Sequence, residues 1–275
     1  MNKKSIGIFD SGLGGLSVLS ELKKILPNEK FIYFADSANL PYGEKSKEQL
    51  VGFTRDILNY FKSRDVKMVL MACNTSSAVT LNIVKNDYKF DILGLIDPAA
   101  RFLASQNYSN IGIMATSATI NSNAYKNKIL KYANKNITQV ACPGLVELVE
   151  GGNLDTAEAE NLVRKYLEPI LAQNVQKIVL GCTHYPFLSS LIEEITGRKD
   201  ILINPAEFLA KEAFALLKSK NALNDSEEGT MEFYASASPG EFLHFGKNLF
   251  DGIDYVELLN VNLSQFKNSS TLFKA

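Results

Sequence analysis

The sequence feature that most constrains the fold is an apolar run that ends at a cysteine and occurs twice. Residues 68–72 read Met-Val-Leu-Met-Ala and lead directly into Cys73, which small polar residues follow. Such a run is typical of a strand buried on both faces, and the polar residues after it are typical of a helix start. The same construction recurs where Ile-Val-Leu-Gly leads into Cys182. Two thiols presented in the same way predict paired chemical roles.

Strands and helices alternate along the first hundred residues. Strands are predicted at residues 6–9, 31–35 and 92–96, with a helix ending near residue 25 because Pro27 stops it. Ser46 and Gln49 form a capping box, which predicts a helix that continues to about residue 63. Another helix is predicted over residues 76–87. This alternation predicts right-handed crossovers and a mainly parallel sheet in an α/β fold.

The second half of the chain repeats the first. Ile6-Gly7-Ile8 matches Ile111-Gly112-Ile113, Phe34-Ala35 matches Val140-Ala141, and Cys73 matches Cys182, all at nearly constant spacing. Three strand ends that recur in order indicate a duplication. We therefore predict two similar α/β domains with mainly parallel sheets, related by pseudo-twofold symmetry, with the active site in the cleft between them.

The domain limits follow from the extent of the duplication. We predict the crossing point between the two units at Asp97-Pro98. A helix at residues 206–218, a strand at 231–235 and a helix at 238–250 lie outside the duplicated segments, so we expect this tail to complete the first unit. The prediction is a discontinuous first domain of residues 1–97 with 206–275, and a second domain of residues 98–205.

The charge and cysteine content narrow the class of protein. The 29 Lys and Arg residues nearly balance the 30 Asp and Glu residues, so the net charge does not attract nucleic acid or an anionic membrane. We therefore expect a small-molecule partner. No apolar stretch approaches the roughly 20 residues that span a bilayer, which predicts a cytoplasmic protein. The 3 cysteines include no Cys-x-x-Cys pair, and the 2 histidines lack zinc-ligand spacing. We expect neither a disulfide framework nor a metal.

Ligands of open parallel sheets bind outside the carboxyl ends of the strands. This rule gathers a set of polar and thiol side chains as candidate site residues: Asp10, Ser11, Cys73, Asn74, Thr75, Thr116, Cys182, Thr183 and His184. A thiol at a helix N-terminus has its thiolate stabilised by the free N–H groups, which favours reactivity. Cys142 precedes Pro143 without a polar cluster, so we interpret it as packing.

Two thiols on opposite walls of a cleft suit a racemase. Inversion of a carbon centre requires one group to remove a proton from one face and another to deliver a proton to the other face. Asp10 on one side, and Glu150 with His184 on the other, are placed to orient or deprotonate the thiols. The turn at residues 12–15, Gly-Leu-Gly-Gly, lacks the full dinucleotide spacing and fits a small-anion site equally well.

At these residues the chain resembles the cofactor-independent glutamate racemases. Four motifs carry the resemblance, in the order of that family: Asp10-Ser11-Gly12-Leu13-Gly14-Gly15-Leu16, Asp36-Ser37-Ala38-Asn39-Leu40-Pro41-Tyr42-Gly43, Ala72-Cys73-Asn74-Thr75-Ser76-Ser77-Ala78 and Leu180-Gly181-Cys182-Thr183-His184-Tyr185-Pro186. The resemblance implies interconversion of L- and D-glutamate for peptidoglycan synthesis, with no cofactor, neither pyridoxal phosphate nor metal. We also expect a homodimer.

The resemblance assigns roles to individual residues. Cys73 and Cys182 match the two catalytic cysteines, and Asp10 and His184 match assisting residues. Substrate contacts are implied for the following set, to which the strand-end rule adds Thr116: Asp10, Ser11, Tyr42, Gly43, Asn74, Thr75, Thr183 and His184. The acidic helper aligns with Glu150. Glu147 occupies a position that is often Pro in the family, and either glutamate is open for the role.

Three other functions remain open at this point. A racemase for aspartate or another amino acid would use the same fold. A thiol hydrolase or amidase would need only Cys182 and His184, whose mutual geometry at a turn is not given by their spacing. A nucleotide or metabolite sensor is indicated only by the Gly-rich turn.

Overall fold

Strands and helices alternate through most of the chain. In the computed structural model, which describes residues 3–152, 154–224 and 229–261, they form an α/β fold with two parallel sheets. The strands of these residues are β1 (Ile6–Asp10), β2 (Phe31–Ala35), β3 (Met68–Met71), β4 (Asp91–Gly94), β5 (Asn110–Ala115), β6 (Asn136–Ala141), β7 (Lys177–Gly181), β8 (Leu202–Ile203), β9 (Met231–Ala235) and β10 (Glu257–Leu258). The α-helices are α1 (Leu16–Ile25), α2 (Lys47–Ser63), α3 (Asn74–Val79), α4 (Leu81–Val84), α5 (Ile96–Ser105), α6 (Ser117–Asn121), α7 (Ala124–Tyr132), α8 (Leu145–Glu150), α9 (Ala157–Leu171), α10 (Ser189–Thr196), α11 (Pro205–Ser219) and α12 (Pro239–Leu249).

The first sheet has the strand order β10-β9-β2-β1-β3-β4, with parallel pairing throughout. Its central strands β1, β2 and β3 are buried along their whole length. Burial on both faces explains why these strands are continuous apolar runs. Strand β9 pairs with β2, so the chain returns to its first sheet after it has built the second.

The second sheet has the order β6-β5-β7-β8, again parallel. This order reproduces β2-β1-β3-β4 of the first sheet element by element. The correspondence confirms the predicted pair of similar α/β units, and it adds β4 and β8 as a fourth matching pair that the sequence comparison did not find.

Helices cover both faces of each sheet and close separate apolar cores. On the first sheet, Leu19 and Leu209 of α1 and α11 share one cluster of buried residues, and Ile57 of α2 belongs to another. The second sheet divides its buried residues in the same way, with Val163 of α9 in one cluster and Ile129 of α7 in the other. Each unit therefore buries its own core.

The predicted capping box at the start of α2 is confirmed. Ser46 Oγ accepts a hydrogen bond from Gln49 N at 3.2 Å, and Gln49 Oε1 accepts one from Ser46 N at 2.9 Å. The reciprocal pair satisfies two N–H groups that a helix start otherwise leaves free. The signal is local in sequence, which is why it was readable without the fold.

The helix predicted over residues 76–87 is wrong at both ends and in the middle. Helix α3 begins at Asn74, directly after Cys73, and the short α4 ends at Val84. Thr80 separates them; its hydroxyl donates to the Ser76 carbonyl at 2.9 Å and contacts the Thr54 hydroxyl at 3.1 Å. A hydrogen bond from a threonine hydroxyl to the carbonyl four residues earlier bends helices, and the helix is interrupted at Thr80.

The strand predicted at residues 92–96 also ends early. Strand β4 stops at Gly94, and α5 begins at Ile96, so that Asp97 and Pro98 lie in the first turn of a helix and not in a linker. Proline is tolerated there because the first helical N–H groups have no intrahelical partner.

We keep the domain limits as a proposal: residues 1–97 with 206–275, and residues 98–205. The assignment of strands β1–β4, β9 and β10 to one sheet and β5–β8 to the other supports these limits, although the first limit falls inside α5.

Among the described residues, no helix combines the length and the apolar character that a membrane crossing requires.

Candidate active site

The carboxyl ends of the strands of both units meet around one cavity of about 40 Å³. Residues of both units line it: Ser11, Pro41, Tyr42, Gly43, Glu44, Cys73, Asn74, Thr75, Thr116, Ser117, Cys142, Pro143, Gly144, Val146, Glu147, Cys182, Thr183 and His184. Ten of the predicted site residues are in this lining. Asp10 and Glu150 lie behind it, where they contact Thr183 and His184.

Cys73 follows β3 and occupies the N-cap position of α3, with 5% of its surface exposed. We predicted that the helix N-terminus would favour a thiolate here. Burial and then the charge of Asp10 raise the pKa of Cys73 to about 12, and they outweigh the opposite effect of the nearby Ser76 N–H and hydroxyl. In the resting site Cys73 is therefore a protonated thiol.

Cys182 is the first of three side chains in contact. Its sulfur lies 3.6 Å from His184 Nδ1, and His184 Nε2 lies 2.6 Å from Glu150 Oε1. Burial works to lower the pKa of His184, but its contacts with Cys182 and Glu150 raise that pKa well above the usual value. Burial likewise raises the pKa of Glu150, yet the contact with His184 and the Leu13 N–H lower it overall. These contacts favour a protonated His184 imidazole beside the Cys182 sulfur.

The contact between His184 and Glu150 predicts that the stability of the protein depends on pH. Because folding raises the pKa of His184, the protonated imidazole stabilises the fold fully below about pH 6.5, and this stabilisation is lost as the pH rises through the folded-state pKa. Glu150→Gln removes the carboxylate while burial remains. We expect the pKa of His184 to fall in this variant, and the free energy of unfolding at pH 7 to drop by about 2 kcal/mol.

The measurement is an NMR pH titration of the imidazole resonances, with urea unfolding at several pH values. The sequence has 2 histidines, so a His244→Gln variant assigns the His184 signal. A wild-type His184 that titrates below pH 6.5 would contradict the geometry of this contact.

Asp10 joins the two units from beneath the cavity. It is fully buried, and its Oδ1 accepts a hydrogen bond from Gly12 N at 2.9 Å. Its Oδ2 accepts one from the Thr183 hydroxyl of the other unit at 3.1 Å. Burial raises the pKa of Asp10, and the charge of His184 with the N–H of Gly12 acts against that rise. The charge of Asp10 in turn acts to raise the pKa of Cys73.

The Gly-rich turn at residues 12–15 uses its N–H groups on carboxylates of this chain. Gly12 N donates to Asp10, and Leu13 N donates to Glu150 Oε1 at 3.0 Å. A Cβ at Gly14 would lie 2.5 Å from His184 Nδ1, and one at Gly12 would lie 2.5 Å from Glu150 Oε1. The glycines allow the second unit to approach closely, and these two N–H groups already have partners, which argues against a phosphate site.

Several hydroxyl groups and one amide also belong to the lining. The Thr75 and Thr116 hydroxyls, one from each unit, lie 2.9 Å apart. Asn74 Oδ1 accepts a hydrogen bond from the Tyr125 hydroxyl at 2.6 Å. The Tyr42 hydroxyl donates to Asp36 Oδ2 at 2.5 Å, so Tyr42 presents its ring and backbone to the cavity.

Some lining and supporting residues were missed or misread from the sequence. Cys142, interpreted as packing, is buried but also lines the cavity, and its thiol donates to the Val140 carbonyl at 3.4 Å. Its place after β6 was a signal, because the strand-end rule applies to it as well. Tyr125 left no such signal, because α7 does not directly follow a strand. Glu147 lines the cavity, whereas Glu150 is the glutamate that contacts His184.

The cysteines are all free thiols. Across residues 3–152, 154–224 and 229–261, no group of three or more His, Cys, Asp or Glu side chains is arranged to hold a metal ion. The lining offers thiols, hydroxyls, an amide, an imidazole and the carboxylates of Glu44 and Glu147, which are groups for proton transfer and for hydrogen bonding to a small polar molecule.

Comparisons with known proteins agree with this arrangement. Residues 6–213 match the model of the Asp/Glu/hydantoin racemase family. A glutamate racemase from Picosynechococcus sp. is 42% identical over 244 residues, which cover 88% of this chain and 87% of that protein. The crystal structure of glutamate racemase isoform RacE1 from Bacillus anthracis superposes with a TM-score of 0.90 at 31% identity, covering 94% of this chain and 98% of that one. The glutamate racemase from Francisella tularensis in complex with D-glutamate gives a TM-score of 0.88 at 32% identity, covering 95% and 99%.

Proposed function

This chain belongs to the Asp/Glu/hydantoin racemase family, and we propose that it interconverts L-glutamate and D-glutamate. The observation that carries the proposal is the pair of thiols, Cys73 and Cys182, that two different units bring to one cavity. Racemization removes a proton from one face of Cα and delivers a proton to the other face, which two opposed acid/base groups accomplish. The relative from Francisella tularensis, which was crystallised with D-glutamate, supports the choice of substrate.

The surroundings of the two thiols differ. Burial and the charge of Asp10 keep Cys73 protonated, while the Cys182 sulfur lies 3.6 Å from Nδ1 of the His184 imidazolium. In one direction Cys182 takes the Cα proton and Cys73 donates its own proton to the other face. The reverse reaction begins after the proton positions are exchanged, and each turnover leaves the total number of protons unchanged.

Glu150 is the acidic helper in this proposal. Its carboxylate contacts His184 at 2.6 Å and thereby favours the imidazolium. Asp10 has the corresponding role for Cys73, because a carboxylate beneath the thiol favours the protonated form. Both act through the cysteines, which exchange protons with the substrate.

The remaining polar lining binds the substrate. We assign substrate contacts to Ser11, Tyr42, Gly43, Asn74, Thr75, Thr116, Thr183 and His184. Asp10, for which the sequence also predicted a substrate contact, lies behind this lining and supports Thr183. Tyr125 supports this assignment for Asn74: with Oδ1 engaged by that hydroxyl, the amide nitrogen is available to donate to a substrate carboxylate. Donors of this kind also stabilise the negative charge that develops at Cα in the transition state.

The wider role that we propose is the supply of D-glutamate for peptidoglycan synthesis in the cytoplasm. In this proposal the two thiols transfer the protons, and no cofactor is needed. We further propose a homodimer, which sedimentation of the purified protein tests directly.

A racemization assay tests the substrate. Purified protein is incubated with L- or D-glutamate without added cofactor, and loss of optical activity is followed by circular dichroism. L- and D-aspartate serve as the matched substrates, one methylene shorter. We expect glutamate to be racemized and aspartate to react at least about tenfold more slowly, since one methylene is worth roughly 10–200-fold in discrimination. Faster reaction with aspartate would overturn the substrate assignment.

Reaction in deuterated buffer tests the two-thiol scheme. We expect product formed at early times to carry solvent deuterium at Cα, while unreacted substrate retains its proton, because the proton removed goes to one thiol and the deuteron comes from the other. Mass spectrometry of the separated enantiomers measures this. Rapid uptake of deuterium into unreacted substrate would mean that a single base exchanges its proton with solvent, contrary to the proposal.

A further inference from the structure

A buried hydroxyl near the first thiol lacks a partner. Ser76 lies on α3, three residues after Cys73, and its relative exposure is 0%. Within the described part of the chain, no protein group forms a hydrogen bond with Ser76 Oγ. Burial of a hydroxyl without a hydrogen bond is unfavourable, and such groups in folded proteins call for an explanation.

The neighbouring hydroxyls of this segment are engaged in structural hydrogen bonds. Ser77 Oγ donates to the Met71 carbonyl at 3.1 Å and accepts from Leu95 N at 3.3 Å. Thr80 Oγ1 donates to the Ser76 carbonyl at 2.9 Å. Ser76 thus differs from the next hydroxyl along the chain in that its oxygen supports no element of the fold.

The position of Ser76 in the first turn of α3 places it beside the first thiol. Cys73 is the N-cap of α3 and Ser76 is its third residue, the position whose N–H points back at an N-cap side chain. Both the N–H and the hydroxyl of Ser76 act to favour the ionised form of Cys73. A neutral thiol is a weak acceptor, whereas a thiolate accepts strong, charge-assisted hydrogen bonds. A thiolate at Cys73 would therefore offer this hydroxyl a strong acceptor, which the neutral thiol does not.

We propose that Ser76 is a positioning residue whose hydroxyl donates a hydrogen bond to the Cys73 sulfur each time that sulfur becomes a thiolate during turnover. This rests on the proposed function, in which Cys73 gives its proton to Cα in one direction and receives the Cα proton in the other. Ser76 keeps its own proton throughout. It offsets part of the effect of burial and of Asp10, which would otherwise hold Cys73 in the thiol form.

The test uses Ser76→Ala in the full-length protein. Cys73 and Cys182 are alkylated with iodoacetamide over a range of pH, and each site is quantified by peptide mass spectrometry. We expect the alkylation of Cys73 at neutral pH to slow about tenfold, which corresponds to a rise of its pKa by about one unit. Alkylation of Cys182 should not change, kcat/KM for glutamate should fall by a similar factor, and thermal stability should stay equal or increase.

Ser77→Ala is the matched control. It removes a hydroxyl that holds Met71 and Leu95, so it should lower thermal stability and leave the pH profile of Cys73 alkylation unchanged. An unchanged Cys73 profile in Ser76→Ala, or destabilisation like that of the control, would overturn the proposal. The alkylation does not depend on turnover, so a failure of racemization itself is recognised separately.

Discussion

Replacing Cys73 or Cys182 by alanine is expected to abolish racemization of both enantiomers while the protein stays folded. Each direction of the reaction uses one thiol as base and the other as acid, so the loss of either one removes a step from both directions. A positioned acid or base contributes about 10²–10⁴-fold, and we expect turnover to fall by about 10³-fold or more. Circular dichroism with both glutamate enantiomers measures the loss.

The single variants should keep a partial reaction. The thiol that remains faces one side of Cα, so it can still remove and return the proton of one enantiomer without inversion. In deuterated buffer, Cys73→Ala should exchange the α-proton of one enantiomer and Cys182→Ala that of the other. Exchange of the same enantiomer by both variants would contradict the placement of the two thiols in different units around the cavity.

Cys142→Ala is the control for these variants. It removes the third buried thiol, whose hydrogen bond goes to the Val140 carbonyl. We expect its turnover to stay within a few-fold of the wild type. An equal loss in all three variants would mean that packing, and not proton transfer, explains the effect.

Lys67→Met is expected to destabilise the protein more than any surface substitution. The Lys67 Nζ atom lies 2.6 Å from Glu29 Oε2, and both side chains are only 2% exposed. Lys67 also donates to the Ala222 carbonyl at 2.8 Å, and Glu29 Oε1 accepts from Asn224 N at 2.8 Å. Removing one partner leaves a buried charge uncompensated, which costs about 3–5 kcal/mol of unfolding free energy.

Urea unfolding measures this effect, and the chain offers a matched surface pair. Lys4 contacts Asp65 with side chains 49% and 77% exposed, so Lys4→Met should cost less than about 1 kcal/mol. The double variant Glu29→Gln with Lys67→Met should recover part of the stability lost in Lys67→Met, because no buried charge is left unpaired. Equal effects of Lys4→Met and Lys67→Met would refute the role of the buried pair.

Local patterns predicted the elements that depend on local physics. The continuous apolar runs identified β1, β2 and β3, because strands that are covered on both faces have no solvent-exposed face that requires polar residues. The helix predicted over residues 76–87 failed because the Thr80 side chain bonds to another helix and to the preceding turn, and neither bond is visible in a hydrophobic pattern.

The sequence by itself determined that the chain is a duplicated α/β protein with one thiol at the end of the third strand in each copy. Burial and strand ends are encoded within a few residues, and repetition of the pattern needs no knowledge of the fold. The resemblance of four motifs extended this to the family, which the comparisons confirmed.

Only the tertiary structure decided which carboxylate serves His184 and why the turn before α1 is rich in glycine. Glu147 and Glu150 are three residues apart on one helix, hence on the same face, so no periodicity distinguishes them. The packing of one unit against the other selects Glu150, because its Oε1 reaches both His184 and Leu13 N. The same approach leaves no room for a Cβ at Gly12 or Gly14. Contacts between units depend on their mutual orientation, which is set by the whole chain.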